Sequence, residues 1–345
     1  MMLRRALLAL GALTPLAAPV SAGAQPARPR FYAKGTKQRA VRFAGSDGAT
    51  LAGTLLLPIW SELEKVPGVV LVSGSGPTDR DGNNALVPDR IDLLKQIAEL
   101  LAAAGIASLR YDKRGIGAST AKPQGSIAEL ERFFSWDNFV GDVVAAQAEL
   151  VKHDEIKAYA TALLGHSEGG LLVLAAAPAI TKYPPHGMVL VATPGRKLAD
   201  ILRAQIGRGA PNLASPADRA IAAIEATGHV PADLPRELGA LFPLYAGPFL
   251  QRLLAFDPAQ ALAASRLPCL VLQGAADRQV VPMEDVQPLI DALGKRDAPG
   301  EAVVIPAASH NLKVAQWPTD AGFAGPVALA AAAKLTSWTK QLLGA

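Results

Sequence analysis

The sequence predicts an α/β fold with a mostly parallel eight-stranded sheet, helices on both faces of the sheet and an inserted helical cap. Short apolar runs typical of buried parallel strands alternate with segments of helical apolar spacing. One such run leads into a Gly-x-Ser-x-Gly sequence, Gly165–Gly169, and an apolar helix is predicted directly after it. Residues 196–264 have helical patterns and repeated prolines but no strand alternation, which predicts the insertion.

The composition is that of a globular domain with a large core. Of the 345 residues, 50% are hydrophobic and 19% are charged. The formal net charge of +4 is spread along the chain without a block of Lys and Arg, so a nucleic-acid partner is not expected. The single cysteine, Cys269, lies in an apolar run and is interpreted as a core residue. No Cys/His cluster has the spacing of metal ligands.

Residues 1–24 are predicted to be a secretory signal peptide. Arg4 and Arg5 precede the apolar run Ala6–Leu13, and small residues favour cleavage after Ala24. The arginine pair leaves both the general secretory route and twin-arginine export open. The mature protein is therefore expected to be periplasmic or secreted.

A membrane anchor is the alternative interpretation of this segment. The apolar run is short, and Pro15 and Pro19 follow it, so a stable membrane span is not expected. Residues 25–38 are polar with two prolines and are expected to form a loose leader.

The first part of the domain, residues 39–195, contains six predicted strands. A hairpin signal at Gly45–Gly48 separates the first two strands, and Gly105 ends a predicted helix before the fourth. The predicted strands cover residues 40–44, 50–57, 68–72, 107–111, 159–164 and 187–192, and the predicted helices cover residues 91–104 and 138–152, the latter capped by Asp137.

The second part of the domain, residues 265–345, contains the last two predicted strands, 270–273 and 302–305, and a closing helix, 324–343. The cap, residues 196–264, separates it from the first part. Within the cap, Leu241–Phe256 is rich in Leu and Phe. This segment either covers an apolar acyl pocket or forms the core of the cap, and both interpretations stay open.

Two charged, glycine-containing loops follow predicted strands at what would be the carboxyl edge of the sheet. Ser73–Asn83 lacks the Gly-Lys-Ser/Thr ending of a phosphate loop, so an oxyanion loop is favoured. Its Asp79, Arg80 and Asp81 are expected to pair among themselves. The second loop, Asp112–Ser119, is expected to pack beside the first loop and beside the serine turn.

Ser167, Asp277 and His310 are the predicted catalytic residues. Ser167 is the serine of the Gly-x-Ser-x-Gly turn, Asp277 follows the seventh predicted strand, and His310 follows the last strand. The order nucleophile, acid, base is that of the strand–turn–helix serine hydrolases. His310 would take the serine proton while Asp277 holds the imidazole in one tautomer. Backbone amides of Ser75 and Glu168 would receive the oxyanion.

Other histidines and one other aspartate are weaker candidates. His153, His166, His186 and His229 do not follow the last strand, and His166 is expected to point away from the serine hydroxyl. Asp285 is the main alternative acid, but it falls in a predicted helix.

Three motifs together resemble the α/β-hydrolase superfamily over roughly residues 40–343. They lie at Gly74–Asn83, Tyr111–Ser119 and Gly165–Gly170, and they are similar to bacterial serine esterases of the EstD-like group, related to the dienelactone hydrolase and dipeptidyl-peptidase branches. The resemblance implies an α/β-hydrolase fold and hydrolysis of short acyl esters without a cofactor. One departure is Ser73, which stands where many members have His, and it leaves the anchoring of the oxyanion loop open.

The predicted function is that of a periplasmic or secreted carboxylesterase that acts on small acyl esters through an acyl-enzyme. A serine peptidase or amidase and a thioesterase are alternatives, because the same triad cleaves amides and thioesters. Glu225 and Glu237 in the cap are not obviously clustered as a site for a peptide amino terminus. A catalytically silent binding module is the non-enzymatic alternative. The sequence assigns no substrate-binding residues, acyl-chain length or oligomeric state.

Overall fold

The computed structural model describes residues 35–59, 64–317 and 320–345. The predicted signal peptide, residues 1–24, and most of the predicted leader lie outside the described residues. The first strand begins at Thr36, so the last three leader residues belong to the sheet. Thr36 is paired with Pro58 at the far end of the second strand, and this pairing extends the strand beyond its predicted start.

Within the described residues, eight strands form one sheet in the order β1-β2-β4-β3-β5-β6-β7-β8. The strands are β1 (Thr36–Ala44), β2 (Thr50–Pro58), β3 (Val66–Val72), β4 (Ala107–Tyr111), β5 (Ile156–His166), β6 (Met188–Val191), β7 (Cys269–Gly274) and β8 (Gly300–Ile305). The β1–β2 and β2–β4 pairs are antiparallel, and all the other pairs are parallel. The predicted mostly parallel eight-stranded sheet is confirmed.

The helices of the described residues cover both faces of the sheet. They are α1 (Leu93–Ala103), α2 (Ile127–Phe133), α3 (Trp136–Leu150), α4 (Glu168–Ala176), α5 (Leu198–Gly209), α6 (Pro211–Thr227), α7 (Gly247–Ala255), α8 (Pro258–Ala264), α9 (Gln287–Leu293) and α10 (Leu329–Leu343). None of them is long and apolar enough to cross a membrane.

Two apolar clusters lie on opposite faces of the sheet. Side chains alternate along β5, so that Leu163 belongs to one cluster and Leu164 to the other. The first cluster includes α3, α4 and the helices between β6 and β7, and the second includes α1 and α10. This explains why the parallel strands are continuous apolar runs, since both of their faces are buried.

Four helices, α5 to α8, lie between β6 and β7, where the sequence predicts the cap. Their apolar side chains, among them Ile221, Ile224 and Leu254, are buried and continuous with the cluster that contains Leu171 of α4. The helices between β6 and β7 therefore pack against the helix that begins after Ser167.

Candidate active site

Ser167 lies at a sharp turn between β5, which ends at His166, and α4, which begins at Glu168. Its backbone has φ 56° and ψ −122°, a conformation that a residue with a side chain rarely adopts. The amide of Ser167 donates a 2.8 Å hydrogen bond to the carbonyl of Val191 on the neighbouring strand. The turn therefore has the strand–turn–helix geometry that exposes a serine hydroxyl at the carboxyl edge of a sheet.

The two glycines that flank this turn are required by close backbone contacts. A Cβ atom on Gly165 would lie 2.3 Å from the carbonyl oxygen of Gly169, and one on Gly169 would lie 2.4 Å from the carbonyl oxygen of Val72. Both distances are far below van der Waals contact, so a larger residue at either position would displace the strand or the helix.

Asp277 and His310 are hydrogen-bonded to each other, with 2.8 Å between Asp277 Oδ2 and His310 Nδ1. They meet because Asp277 follows β7, His310 follows β8, and these strands are parallel neighbours with Gly274 paired to Ile305. An ionised carboxylate only accepts hydrogen bonds, so Nδ1 carries the proton and Nε2 is the basic nitrogen of neutral His310. Both side chains are buried.

The carboxylate of Asp277 is held by donors on both oxygens. Its Oδ1 accepts from the amides of Gln279 at 2.8 Å and Val280 at 3.0 Å, and its Oδ2 accepts from Gln273 Nε2 at 2.8 Å. Burial by itself would raise the pKa of Asp277, but attraction to the protonated form of His310 and the hydrogen bonds to the carboxylate outweigh it, so the pKa lies below the usual value. Asp277 is therefore ionised and fixed in place.

The side chain of His166 contacts the backbone of His310, the predicted base, and not the hydroxyl of Ser167. Its Nε2 lies 3.0 Å from the carbonyl oxygen of His310, so that nitrogen carries the proton and donates. The two rings are 4.8 Å apart. Burial, with repulsion from the protonated form of His310, lowers the pKa of His166 to about 3. Neutral His166 thus fixes the loop that carries His310, a contact that the sequence does not reveal.

Ser75 and Glu168, the predicted oxyanion donors, line the same cavity as Ser167 and His310. The loop that carries Ser75 is internally bonded, because Thr78 Oγ1 donates to the carbonyl of Ser75 at 2.7 Å. Glu168 is the first residue of α4, where helix amides have no intrahelical acceptor. The two predicted donors therefore lie on opposite sides of Ser167 in the chain and line one cavity with it.

The expectation that Asp79, Arg80 and Asp81 pair among themselves is wrong for their ion pairs, which are made with residues outside the loop. Arg80 pairs with Asp112, and Asp81 pairs with Arg110 at 2.7 Å. These partners lie on or just after β4, which is adjacent to the strand before the loop. Register between β3 and β4, rather than proximity in sequence, selects the partners.

The loop after β4 also contains a fully buried ion pair. Arg114 donates to both oxygens of Asp142 on α3, from Nε at 2.8 Å and from Nη2 at 2.7 Å. Arg114 also donates to the carbonyls of Phe133 and Ser46. The second charged loop also contacts the first loop through Asp112 and Arg80 and the residue after the serine turn through Lys113 and Glu168, as expected.

A cavity of about 460 Å³ opens beside Ser167. Its lining is mainly apolar and comes from the loops after β3 and β4, from α3 and α4, and from the helical insertion. Seven residues of the insertion segment Leu241–Phe256 line the cavity, and they are Leu241, Pro243, Tyr245, Ala246, Phe249, Leu250 and Leu253. All of them except Pro243 also belong to or pack against the apolar cluster of the insertion, so the segment both lines an apolar cavity and contributes to the core of the insertion.

The alternative candidates have structural contacts away from the cavity. Asp285 is buried, pairs with Arg196 at 3.1 Å and accepts at its carbonyl from the amide of Gly195, which fixes the start of the insertion. Cys269 is buried in β7, and burial raises the pKa of its thiol to about 12. In the part of the chain that the structure describes, no three His, Cys, Asp or Glu side chains are grouped closely enough to hold a metal ion.

Comparison with known sequences finds a matching family and a curated relative. The family described as serine aminopeptidase, S33, matches residues 89–314, which include Ser167, Asp277 and His310. Esterase EstD from Thermotoga maritima is 32% identical over 142 residues, which cover 41% of this chain and 30% of EstD. The matched segment thus spans less than a third of that relative.

Solved structures with the same fold include hydrolases of several kinds. Est1E from Butyrivibrio proteoclasticus, solved with ferulic acid, has a TM-score of 0.57 at 16% identity and is covered completely by 88% of this chain. An esterase from Pyrococcus furiosus has a TM-score of 0.55 at 15% identity, with 89% of this chain and 91% of that chain covered. A puromycin-hydrolysing peptidase from Mycobacterium tuberculosis has a TM-score of 0.56 at 20% identity, with 92% and 40% covered. At these identities the likeness concerns the fold.

Proposed function

The chain belongs to the serine aminopeptidase S33 family of α/β-hydrolases, and we propose that it is a serine carboxylesterase which cleaves small acyl esters through an acyl-enzyme. The observation that carries the proposal is that His310, bonded to the buried Asp277, lines the same apolar cavity as Ser167, which lies at a strained strand–helix turn. The match to an esterase of Thermotoga maritima supports ester substrates.

The first chemical step forms a bond between Ser167 Oγ and the acyl carbon. The hydroxyl proton moves to His310 Nε2, and the electron pair of the C=O bond moves to oxygen, which becomes the oxyanion. Asp277 stabilises the imidazolium that results. The amides of Ser75 and Glu168 stabilise the oxyanion, and each such donor contributes about 3–4 kcal/mol to the transition state.

In the second step the oxyanion collapses, and the bond to the alcohol breaks. His310 gives its proton to the departing alcohol oxygen, which leaves an acyl group on Ser167. A water molecule then attacks the acyl carbon while His310 takes its proton. This attack forms a second oxyanion. When it collapses, the bond between the acyl carbon and Ser167 Oγ breaks, His310 returns its proton to Oγ, and the carboxylic acid leaves.

Charge in the cavity favours an ester over a peptide with a free amino terminus. Of the described residues that line the cavity, Glu168 is the only acidic one, and its carboxylate faces Lys113 at 3.4 Å. Glu225 pairs with Arg203 at 3.5 Å on the surface of the insertion, and Glu237 does not line the cavity. A positively charged amino terminus would therefore find no free carboxylate near Ser167.

The test is a panel of p-nitrophenyl esters from acetate to decanoate with the purified protein. We expect the wild type to hydrolyse esters of the panel and Ser167→Ala to hydrolyse them no faster than the uncatalysed rate. The preferred acyl-chain length should be determined by the apolar cavity. Equal rates for the wild type and Ser167→Ala on every ester would reject the proposal.

A peptidase is the second candidate, since the description of the family names an aminopeptidase. Aminoacyl p-nitroanilides offered to the same protein preparation separate the two. We expect kcat/KM for the esters to exceed that for the anilides by more than 100-fold. The reverse order would assign the protein to peptide substrates, and an acyl thioester measured in parallel tests the thioesterase alternative.

We also propose that the protein is exported, on the strength of the signal-peptide pattern in residues 1–24. Expression of the full chain in a bacterium, followed by fractionation and N-terminal sequencing, tests this. A periplasmic product that begins at Gln25 is expected. A chain that lacks residues 2–24 is the control for a cytoplasmic product. An uncleaved full chain found only in the cytoplasm, as this control is, would contradict export.

A further inference from the structure

Lys113 is a buried cation beside the predicted oxyanion donors, with 4% of its surface exposed. It follows β4, and the loop that contains Gly74 and Ser75 follows β3. These strands are parallel neighbours, so both loops leave the sheet at the same edge. Neither the mechanism above nor the sequence motifs give Lys113 a task, although a buried ammonium is costly unless it is well bonded.

The ammonium of Lys113 donates to the carbonyl oxygen of Gly74 at 2.6 Å. That carbonyl and the amide of Ser75 belong to one peptide unit. The peptide unit is planar, and the described chain has no cis peptide bond, so its C=O and N–H point in opposite directions. Lys113 therefore fixes the plane in which the Ser75 N–H lies and holds that N–H on the side away from itself.

A charged donor on the carbonyl also strengthens the amide as a donor. Hydrogen bonds to ionised groups are stronger than neutral ones, and bonds in a chain polarise each other. The electron density that Lys113 withdraws from the Gly74 carbonyl is drawn in part from the Ser75 nitrogen. The Ser75 N–H is thereby prepared for an anionic acceptor before a substrate arrives.

Lys113 contacts the second donor segment as well. Its Nζ lies 3.4 Å from Oε1 of Glu168, the residue whose amide is the other predicted oxyanion donor. The two segments are close neighbours, because a Cβ atom on Gly74 would lie 3.3 Å from Ser167 Cβ. One ammonium therefore connects the loop after β3 with the first turn of α4.

We propose that Lys113 is a positioning residue which orients and polarises the Gly74–Ser75 peptide of the oxyanion hole and ties it to Glu168. This inference rests on the proposed function, since it concerns the same transition state. It also supplies an anchor for a loop that begins with Ser73 in place of the His found in many related enzymes. Lys113 acts through the backbone and makes no bond to the reacting atoms.

The experiment compares wild type, Lys113→Met and Lys113→Arg in two measurements. The first is kcat and KM for p-nitrophenyl butyrate. The second is the inhibition constant of an alkyl trifluoromethyl ketone, whose carbonyl carbon is attacked by Ser167 Oγ as the serine proton passes to His310. The product is a hemiketal with its oxyanion in the same position as that of the ester reaction, so it reports on the oxyanion hole without turnover.

Arg296→Met is the matched control for loss of a cation that is bonded to backbone carbonyls. Arg296 donates to the carbonyls of Ser265, Leu267 and Pro299, which precede β7 and β8 and so lie at the opposite edge of the sheet. Its loss should lower the melting temperature and leave both kinetic measurements unchanged. Lys113→Gln replaces Lys113→Met if the latter does not fold.

For Lys113→Met we expect kcat to fall about 10- to 100-fold, with KM within about 3-fold and ketone affinity reduced by a factor similar to that in kcat. Lys113→Arg should recover most of both. A folded Lys113→Met protein with wild-type kcat and ketone affinity would overturn the proposal, as would equal losses in Arg296→Met. If wild type hydrolyses no ester, the proposed function fails, and the ketone affinities still decide the role of Lys113. A wild type that binds no ketone overturns both.

Discussion

His310 Nδ1 lies 2.8 Å from Asp277 Oδ2, and the opposite oxygen of Asp277 accepts two backbone amides, from Gln279 and Val280. This arrangement fixes which oxygen faces the imidazole. It also determines how an asparagine would be oriented at position 277, because its side-chain oxygen would accept from the backbone N–H groups of Gln279 and Val280. The amide nitrogen would then face His310.

Asp277→Asn is therefore expected to lower kcat about 1,000- to 10,000-fold while the protein stays folded. The asparagine N–H would face Nδ1 and favour the tautomer with the proton on Nε2, which cannot accept the proton of Ser167. Steady-state kinetics with p-nitrophenyl butyrate and circular dichroism measure the two parts of this prediction. Activity within 10-fold of wild type would show that His310 does not depend on Asp277 for its orientation.

His166 should make stability depend on pH in mildly acidic solution. Its pKa is lowered from 6.5 to about 3 in the folded protein, chiefly by burial, so the unfolded chain binds a proton that the folded protein does not. The contribution of neutral His166 to the free energy of unfolding is fully present above pH 6.5. It is lost as the pH falls from there towards 3, by up to about 1.4 kcal/mol per pH unit.

Urea unfolding of wild type and His166→Asn between pH 4.5 and 8 checks this contribution. The difference in unfolding free energy between the two proteins should shrink as the pH falls, because the variant lacks the titrating group but can still donate to the His310 carbonyl. A difference that stays constant over this range would contradict a neutral, buried His166.

Leu250 and Leu254 form a natural pair for testing the cavity as the acyl site. Both are buried on α7, but only Leu250 lines the cavity. Either change to Ala should cost about 2–5 kcal/mol of stability. Only Leu250→Ala should also raise the ratio of kcat/KM for decanoate to that for acetate. The same shift in Leu254→Ala would mean that the acyl chain binds elsewhere.

Removal of one partner of the buried Arg114–Asp142 ion pair should lower the free energy of unfolding strongly. Arg114→Met leaves the Asp142 carboxylate buried without its partner, and we expect a loss of about 3–5 kcal/mol. Arg114→Met combined with Asp142→Leu removes both charges and should recover part of that loss. Thermal and urea unfolding give the stabilities of the wild type, Arg114→Met and the double variant. A double variant less stable than Arg114→Met would contradict this explanation.

The sheet was predictable because its parallel strands are buried on both faces and therefore appear as apolar runs. Residues 107–111 were predicted as a strand and form β4 with the same bounds. Helix ends were less predictable, because Ser135 caps α3 where Asp137 was expected. Both residues are common cap types, and only the backbone of the turn distinguishes them.

The candidate site divides in the same way. Ser167, Asp277 and His310 could be selected from their positions after strands, because strand ends converge at one edge of the sheet. The contacts of His166 and Lys113 were not predictable, since both donate to backbone carbonyls of distant segments and leave no pattern in sequence. The partners of Arg80 and Asp81 depend on the register between β3 and β4, which the apolar pattern does not specify.

Titration with a fluorophosphonate tests most directly whether Ser167 is the nucleophile of an ester hydrolase. The label should attach to one residue, identified as Ser167 by peptide mass spectrometry, and esterase activity should fall in proportion to the labelled fraction, with no label on Ser167→Ala. Full activity in a stoichiometrically labelled protein, or a label on another residue that accompanies the loss of activity, would contradict this assignment.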